Sequence, residues 1–260
     1  MRTFFSRLRY SPILRLAAAA LVGLALCCLV SCGRQHDANT GGKDGAFYGV
    51  SSTGGSPKIG PFINTKISLN QDVDDAVLTG DLEKVKALLK VDPDLVNRKD
   101  SLGTPLHLAA MEGHKDVAEL LLANKAEVNA MDSADWTPLH WAAIRVHEDV
   151  AELLLANKAN ANARDKTGET PLRYAAMNRN KDIVELLLAN KADVNVRDNY
   201  GKTPLQYVAY QGYKDMVELL LANKAEVNVT DNNGWTPLHW AATQGHKDVA
   251  ELLRQHGGHE

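Results

Sequence analysis

The chain has 260 residues, 45% of them hydrophobic and 23% charged, with a formal net charge of −3. That is enough for one large domain or two small ones, and the ordinary apolar content excludes a wholly disordered chain. Its three cysteines, Cys27, Cys28 and Cys32, all lie near the N-terminus, which excludes a disulfide or thiolate metal site anywhere beyond Cys32.

Residues 1–15 carry four arginines and no acid, and residues 16–30 form the apolar run LAAAALVGLALCCLV. The run is short for a bilayer span and suits the core of a signal peptide. It ends in Leu29-Val30-Ser31-Cys32, which resembles the bacterial lipoprotein box of an aliphatic, a tolerant and a small residue before cysteine. Cys27 and Cys28 lack the small residue in front. The resemblance implies a signal peptide over 1–31, cleavage after Ser31 and acylation of Cys32. Several acyl chains hold a protein durably on a membrane. Gly33 stands where an Asp marks inner-membrane retention in Gram-negative families, so the expectation is a lipid anchor at the outer membrane; the alternative is a secreted or host-directed soluble effector. Loss of the four arginines would take the charge from −3 to −7, which argues against nucleic acid as a partner.

Residues 33–66 hold eight glycines and show no periodicity, so 32–66 reads as a lipidated cysteine followed by a flexible tether. Its reach is about 30 Å for a Gly-rich coil of this length. The stretch GGKDG at 41–45 lacks the GK[ST] ending of a phosphate loop.

From residue 67 onward the chain repeats. Thr-Pro-Leu recurs at Thr104, Thr137, Thr170, Thr203 and Thr236, and ELLLANKA at Glu119, Glu152, Glu185 and Glu218, always 33 residues apart. A fixed period of that size marks stacked supersecondary units. Within one unit, Thr is a helix N-cap and Pro suits the first helical position, so a helix is expected over 105–112. Gly113 supplies a positive-φ turn. A second helix over 115–123 carries the apolar stripe of Val117, Leu120 and Leu121. Turn residues such as those at 231–234 join the units. Two short helices cannot bury an apolar face alone, so stability must come from neighbouring units.

The segment TPLHLAAMEGHKDVAELLLANKAEVNA resembles the ankyrin repeat, and the resemblance covers residues 68–258. It implies an all-α solenoid of six helix-turn-helix units with β-turn fingers over 67–260, the end units at 67–99 and 232–258 acting as polar caps. Asp72, Asp74 and Asp75 are expected on the exposed face of the first cap. Ankyrin repeats usually have Gly where Lys125, Lys158, Lys191 and Lys224 stand, which makes Asn124 and its equivalents candidates for the left-handed position. Val146 and Arg179 replace the inter-helix glycine of other units, at a steric cost for the β-branched residue. His becomes Arg173 and Gln206 in two copies of TPLH, so the bonds of that histidine are expected to be lost there.

His107, His140 and His239 share one slot, and His114, His147 and His246 another. Adjacent helices pack about 8–10 Å apart, too far for equivalent histidines to share one zinc with bonds of about 2.1 Å. No nucleophile constellation or paired-acid site stands out. The expectation is therefore a non-enzyme with no cofactor, no metal and no small-molecule substrate. Positions that vary while the scaffold repeats are the candidate partner contacts. They are Ser133, Trp136, Lys166, Glu169, Tyr200, Lys202, Asn232 and Trp235 at the finger tips. At the ends of the first helices they are Met111, Glu112, Ile144, Arg145, Met177, Asn178, Tyr210, Gln211, Thr243 and Gln244. In ankyrin proteins these slots form the fingers and inner groove, which implies a protein partner for a monomeric module. Trp136 and Trp235 each lie five residues before a second Trp, so mutual packing and partner contact stay open for both.

Overall fold

The computed structural model describes residues 61–259; the expected signal peptide, Cys32 and the tether up to residue 60 lie outside the described residues. Among the described residues, twelve α-helices run in pairs. The first pair is α1 (Pro61–Leu78) and α2 (Leu82–Val91), followed by a 3-10 turn at Pro93–Asn97. Then come α3 (Pro105–Glu112) with α4 (Lys115–Ala123), α5 (Pro138–Arg145) with α6 (Glu148–Ala156), and α7 (Pro171–Met177) with α8 (Lys181–Ala189). The last pairs are α9 (Pro204–Gln211) with α10 (Lys214–Ala222), and α11 (Pro237–Thr243) with α12 (Lys247–Gln255). Among the described residues there is no β-strand, only an isolated bridge between Asp100 and Gly103. Residues 61–66, expected in the tether, are helical and belong to α1.

Each helix arises where its local chemistry directs. Thr sits in extended conformation at the N-cap of α3, α5, α7, α9 and α11, and Pro follows at the first helical position. The second helices bury one stripe, Val117, Ala118 and Leu121 in α4 and the matching residues in α6, α8, α10 and α12. The stripes join one continuous core running from Val73 to Leu253. Its burial is the main stabilising term, at roughly 25 cal/mol for each Å² of apolar surface removed from water.

Side chains tie each unit to the next. The Asn129 side chain accepts from Asn160 N at 2.8 Å and donates to Lys158 O at 3.4 Å. Asn97, Asn162, Asn195 and Asn228 make the same pair of bonds to the unit that follows, Asn228 closing on Gly257 O and His259 N. The first and last helix pairs differ from the others in polarity. Arg254 stands where inner second helices carry Leu122, Leu155, Leu188 and Leu221, and Thr243 where first helices carry Met111, Ile144, Met177 and Tyr210. In the first cap Asp74 is not simply exposed: it pairs with Arg98, which also lies 3.5 Å from Asp100. Burial lowers the pKa of the Arg98 guanidinium, an effect that Asp100 opposes.

The second helices end differently from expectation. Lys125, Lys158, Lys191 and Lys224 are left-handed, with φ of 69°, 68°, 66° and 68°, while Asn124 has φ −92°. Ala126 N donates back to Leu121 O at 3.0 Å, and that loop needs its left-handed residue one position after the cap. Asn124 instead donates its side-chain amide to Leu120 O at 2.8 Å.

Val146 and Arg179 keep the left-handed conformation of the glycines they replace, with φ of 66° and 55°. The cause of the replacement lies in the next unit. A Cβ on Gly113 or Gly212 would sit 2.4 Å from the ring of His147 or His246, so these histidines require glycine. Opposite Val146 and Arg179 the following units carry Asn180 and Tyr213. Asn180 caps its own helix through Ile183 N, and Tyr213 receives the Arg179 guanidinium on its face at 5.1 Å. Left-handed valine costs about 1–3 kcal/mol. Val146→Gly is therefore expected to raise Tm by roughly 2–12 °C, since about 1 kcal/mol moves a domain of this size by 2–4 °C. Thermal denaturation followed by circular dichroism measures it, and an unchanged or lower Tm contradicts the strain.

Candidate interaction surface

The first helices and the turns before them form one surface, and its turns are built on buried aspartates. Asp132, Asp165, Asp198 and Asp231 are 4–9% exposed and lie 33 residues apart. One carboxylate oxygen accepts backbone N–H groups two and four residues on, as Asp198 does from Tyr200 and Lys202 at 2.8 Å each. The other accepts from an aromatic residue nine positions on. Trp141 donates to Asp132 at 3.1 Å, Tyr174 to Asp165 at 2.8 Å, Tyr207 to Asp198 at 2.6 Å and Trp240 to Asp231 at 3.0 Å. Burial pushes Asp165 up, but bonds from Thr167, Tyr174 and the backbone outweigh it and hold the carboxyl below its usual range. The same burial and carboxylates push the Tyr174 and Tyr207 hydroxyls well above theirs.

These aromatics alternate with cations along the stack. Arg145 lies 6.0 Å from the Trp141 ring. Trp136 sits 4.9 Å from Trp141 and 4.7 Å from Tyr174. Arg173 covers Tyr174 at 5.1 Å and Tyr207 at 4.1 Å. Lys202 lies 5.4 Å from Tyr207 and 4.0 Å from Trp240, which packs against Trp235 at 4.5 Å. Cation–aromatic contacts of this kind contribute about 0.5–2 kcal/mol each. Burial lowers the Lys202 pKa, with Asp231 and Asp198 opposing it, and raises that of Glu169, with Arg173 opposing it.

Histidines fasten the surface to its neighbours. Thr104 N donates to His107 Nδ1 at 3.0 Å, and Thr137 N to His140 Nδ1 at 3.1 Å. Nδ1 is therefore unprotonated, and Nε2–H donates onward to Trp136 O at 3.0 Å and Glu169 O at 3.3 Å. Gln206 corrects the expected loss: it accepts from Thr203 N at 2.8 Å and donates to Trp235 O at 2.6 Å, doing both jobs of the histidine. Arg173 does neither, and pairs with Glu169 at 3.0 Å instead. In the second slot, His114, His147 and His246 reach back to Leu78 O, Met111 O and Tyr210 O at 3.0–3.1 Å. Among the described residues no group of three or more His, Cys, Asp or Glu converges as metal ligands, and no helix is long and apolar enough to cross a membrane.

The candidate contacts divide by exposure. Tyr200 is 61% exposed and Tyr210 37%, and Glu112, Arg145, Asn178 and Gln244 also face outward. Ser133, Lys166 and Asn232 are exposed but bond to the preceding finger, through Ser101 O, Ser133 O and Asn199 O. Thr243 turns its exposed hydroxyl back onto His239 O. Ile144, Met177, Gln211, Lys202 and Trp235 are half-buried. Trp136 is half-buried as well, and its indole N–H donates to Asp165 at 3.1 Å. Glu169 is closed in by Arg173. Met111 is a correction: it is buried at 8% exposure, part of the core rather than of the surface. The turn aspartates were missed by sequence reasoning, although their 33-residue spacing ahead of four of the five Thr-Pro-Leu starts was a visible signal.

Burial holds the His140 pKa down to about 4 from 6.5, against the pull of Glu169 O, Asp165 and Asp132, and lowers His107 similarly. Protons then bind the unfolded chain preferentially between those values. The stability that the His140 ring gives is complete above about pH 6.5 and is lost as pH falls toward 4, by up to roughly 3 kcal/mol, and His107 acts in the same direction. His140→Gln, copying Gln206, should keep the fold and flatten this part of the curve. Urea denaturation at pH 7, 6, 5 and 4 checks it; an equally steep acid loss in the variant contradicts the assignment.

Against family models, the chain matches ankyrin repeats (3 copies) over residues 74–165, 132–198, 147–231 and 172–260. No curated protein matches it. Ankyrin repeats are generally protein-interaction modules. With overlapping matches running from residue 74 to residue 260, and with the 33-residue stack observed, the chain belongs to the ankyrin-repeat family.

Proposed function

We propose that the chain is a non-catalytic protein-binding module held at the cell envelope by a lipid on Cys32. The observation that carries the binding half is the contrast between a repeated scaffold and an unlike surface. The Asn bonds and the turn aspartates recur in unit after unit, whereas the outward residues Arg145, Asn178, Tyr200 and Tyr210 have no counterpart of the same type in the other units. Exposed tyrosine and arginine over a preorganised backing are what protein interfaces concentrate. The tethering half rests on the arginine-rich start, the apolar run and the Leu29–Cys32 box. Gly33 favours the outer membrane. The partner is a protein, met by a single copy of the module.

One experiment addresses both halves. Bacteria producing the full chain, Cys32→Ser, or Arg145→Ala/Tyr200→Ala/Tyr210→Ala are labelled with a fatty-acid analogue, crosslinked and purified. The expected result is label on the first and third proteins and none on Cys32→Ser. A crosslinked partner should be retained by the wild type and reduced at least about tenfold in the triple variant, the scale of a lost hot spot. Label that survives Cys32→Ser, or capture that survives the triple substitution with the helical spectrum intact, overturns the corresponding half.

A further inference from the structure

One junction in the middle of the stack is chemically unlike the others. At the third position of the first helix, His107, His140 and Gln206 each accept the N-cap threonine N–H. Arg173 occupies this position in α7, and a guanidinium has no acceptor. The Thr170 N–H thus loses its usual partner. The Thr170 hydroxyl, in a residue 1% exposed, has no hydrogen-bond partner, and neither has the buried Arg173 Nε. Thr170 and Arg173 line a shallow cleft with Glu169, Asp198, Lys202 and Tyr207. The guanidinium is fixed in place over the Tyr207 ring at 4.1 Å, and Lys202 stands 5.4 Å from the same ring.

The two side-chain groups left open in this cleft, the Thr170 hydroxyl and Arg173 Nε, can both donate. Glu169 satisfies the guanidinium in part: its Oε1 lies 3.0 Å from Arg173 Nη2 and 3.2 Å from the Tyr207 hydroxyl oxygen, but Nε stays open. A guanidinium edge offers Nε and Nη2 side by side, the spacing of the two oxygens of one carboxylate. We propose that this cleft is the anchor subsite of the interaction surface and takes the carboxylate side chain of an Asp or Glu on the protein partner. The incoming oxygens bridge Nε and Nη2 of Arg173, with Thr170 donating to one of them and Glu169 released toward solvent. Glu169 acts as an internal competitor whose charge is disfavoured where it sits. Lys202 and the Tyr207 ring give the cleft its positive and aromatic wall. This deepens the protein-binding reading and rests on it.

The test selects random peptides on display against the full chain, then measures the best binder and its Asp→Asn or Glu→Gln form by calorimetry. Hydrogen exchange locates the peptide. The account expects the selected peptides to share an acidic residue, to protect α7 and α9, and to lose about tenfold or more in affinity as the amide, the scale of a charge-assisted bond. On Arg173→His, which restores the unit's usual residue, acid and amide forms should bind equally weakly while Tm does not fall. On Glu169→Gln the acidic peptide should bind severalfold tighter. Peptides that protect the first-helix face but share no acid, or an acid preference that survives Arg173→His, overturn the inference and leave the protein-binding reading standing. Failure to select any peptide that protects that face overturns both.

Discussion

The bond from a ring nitrogen of His107 or His140 to a carbonyl of the following unit fixes the spacing of those two units, as Gln206 does for its own pair. It works because the other nitrogen is already committed to the threonine N–H of its own unit, which fixes the tautomer and the ring plane. The Asn97, Asn129 and Asn162 side chains impose the same spacing further along each unit. Two short helices have neither the apolar area nor the hydrogen-bond partners to stand alone, so each unit is completed by its neighbour. The surface inherits its rigidity from that arrangement. Turn aspartates such as Asp165 are held by three aromatic or hydroxyl donors from two units, and Tyr207 and Trp240 are placed by theirs.

Departures from the repeat come as matched sets. Glycine at 113 and 212 accompanies histidine at 147 and 246, because the ring lies where a side chain would be. Where Val146 and Arg179 intrude, Asn180 and Tyr213 take the histidine's place. Gln206 reproduces a histidine's bonds with a different side chain, whereas Arg173 abandons them and joins the cation–aromatic row. The middle of the stack therefore gives up local stability where its surface is chemically richest, an association often found at binding sites.

Much of this was legible in the sequence. A period of 33 and the Thr-Pro-Leu starts placed α3 and α4 to the residue, because caps and prolines act locally. Exposure was less legible, since it depends on neighbours. Met111 occupies a slot that is open at Tyr210 and closed at 111, and Trp136 is held by an aspartate from the next unit. The left-handed residue after each second helix fell on Lys125 rather than Asn124, a difference of one position decided by which carbonyl the loop closes on. Gln206 showed that a bond can outlive the residue type that usually makes it.

The octapeptide WTPLHWAA occurs at residues 136–143 and 235–242, with identical local chemistry and different neighbours. His140 is fully buried and bonds onward to Glu169 O, while His239 is half-exposed, stacks on Trp235 at 4.3 Å and makes no such onward bond among the described residues. Urea denaturation of His140→Ala and His239→Ala compares the two directly. If units are completed by their neighbours, His140→Ala should cost about 2–4 kcal/mol, and His239→Ala less than about 1 kcal/mol. Equal losses from the two substitutions would contradict the claim that the stack is held together between units.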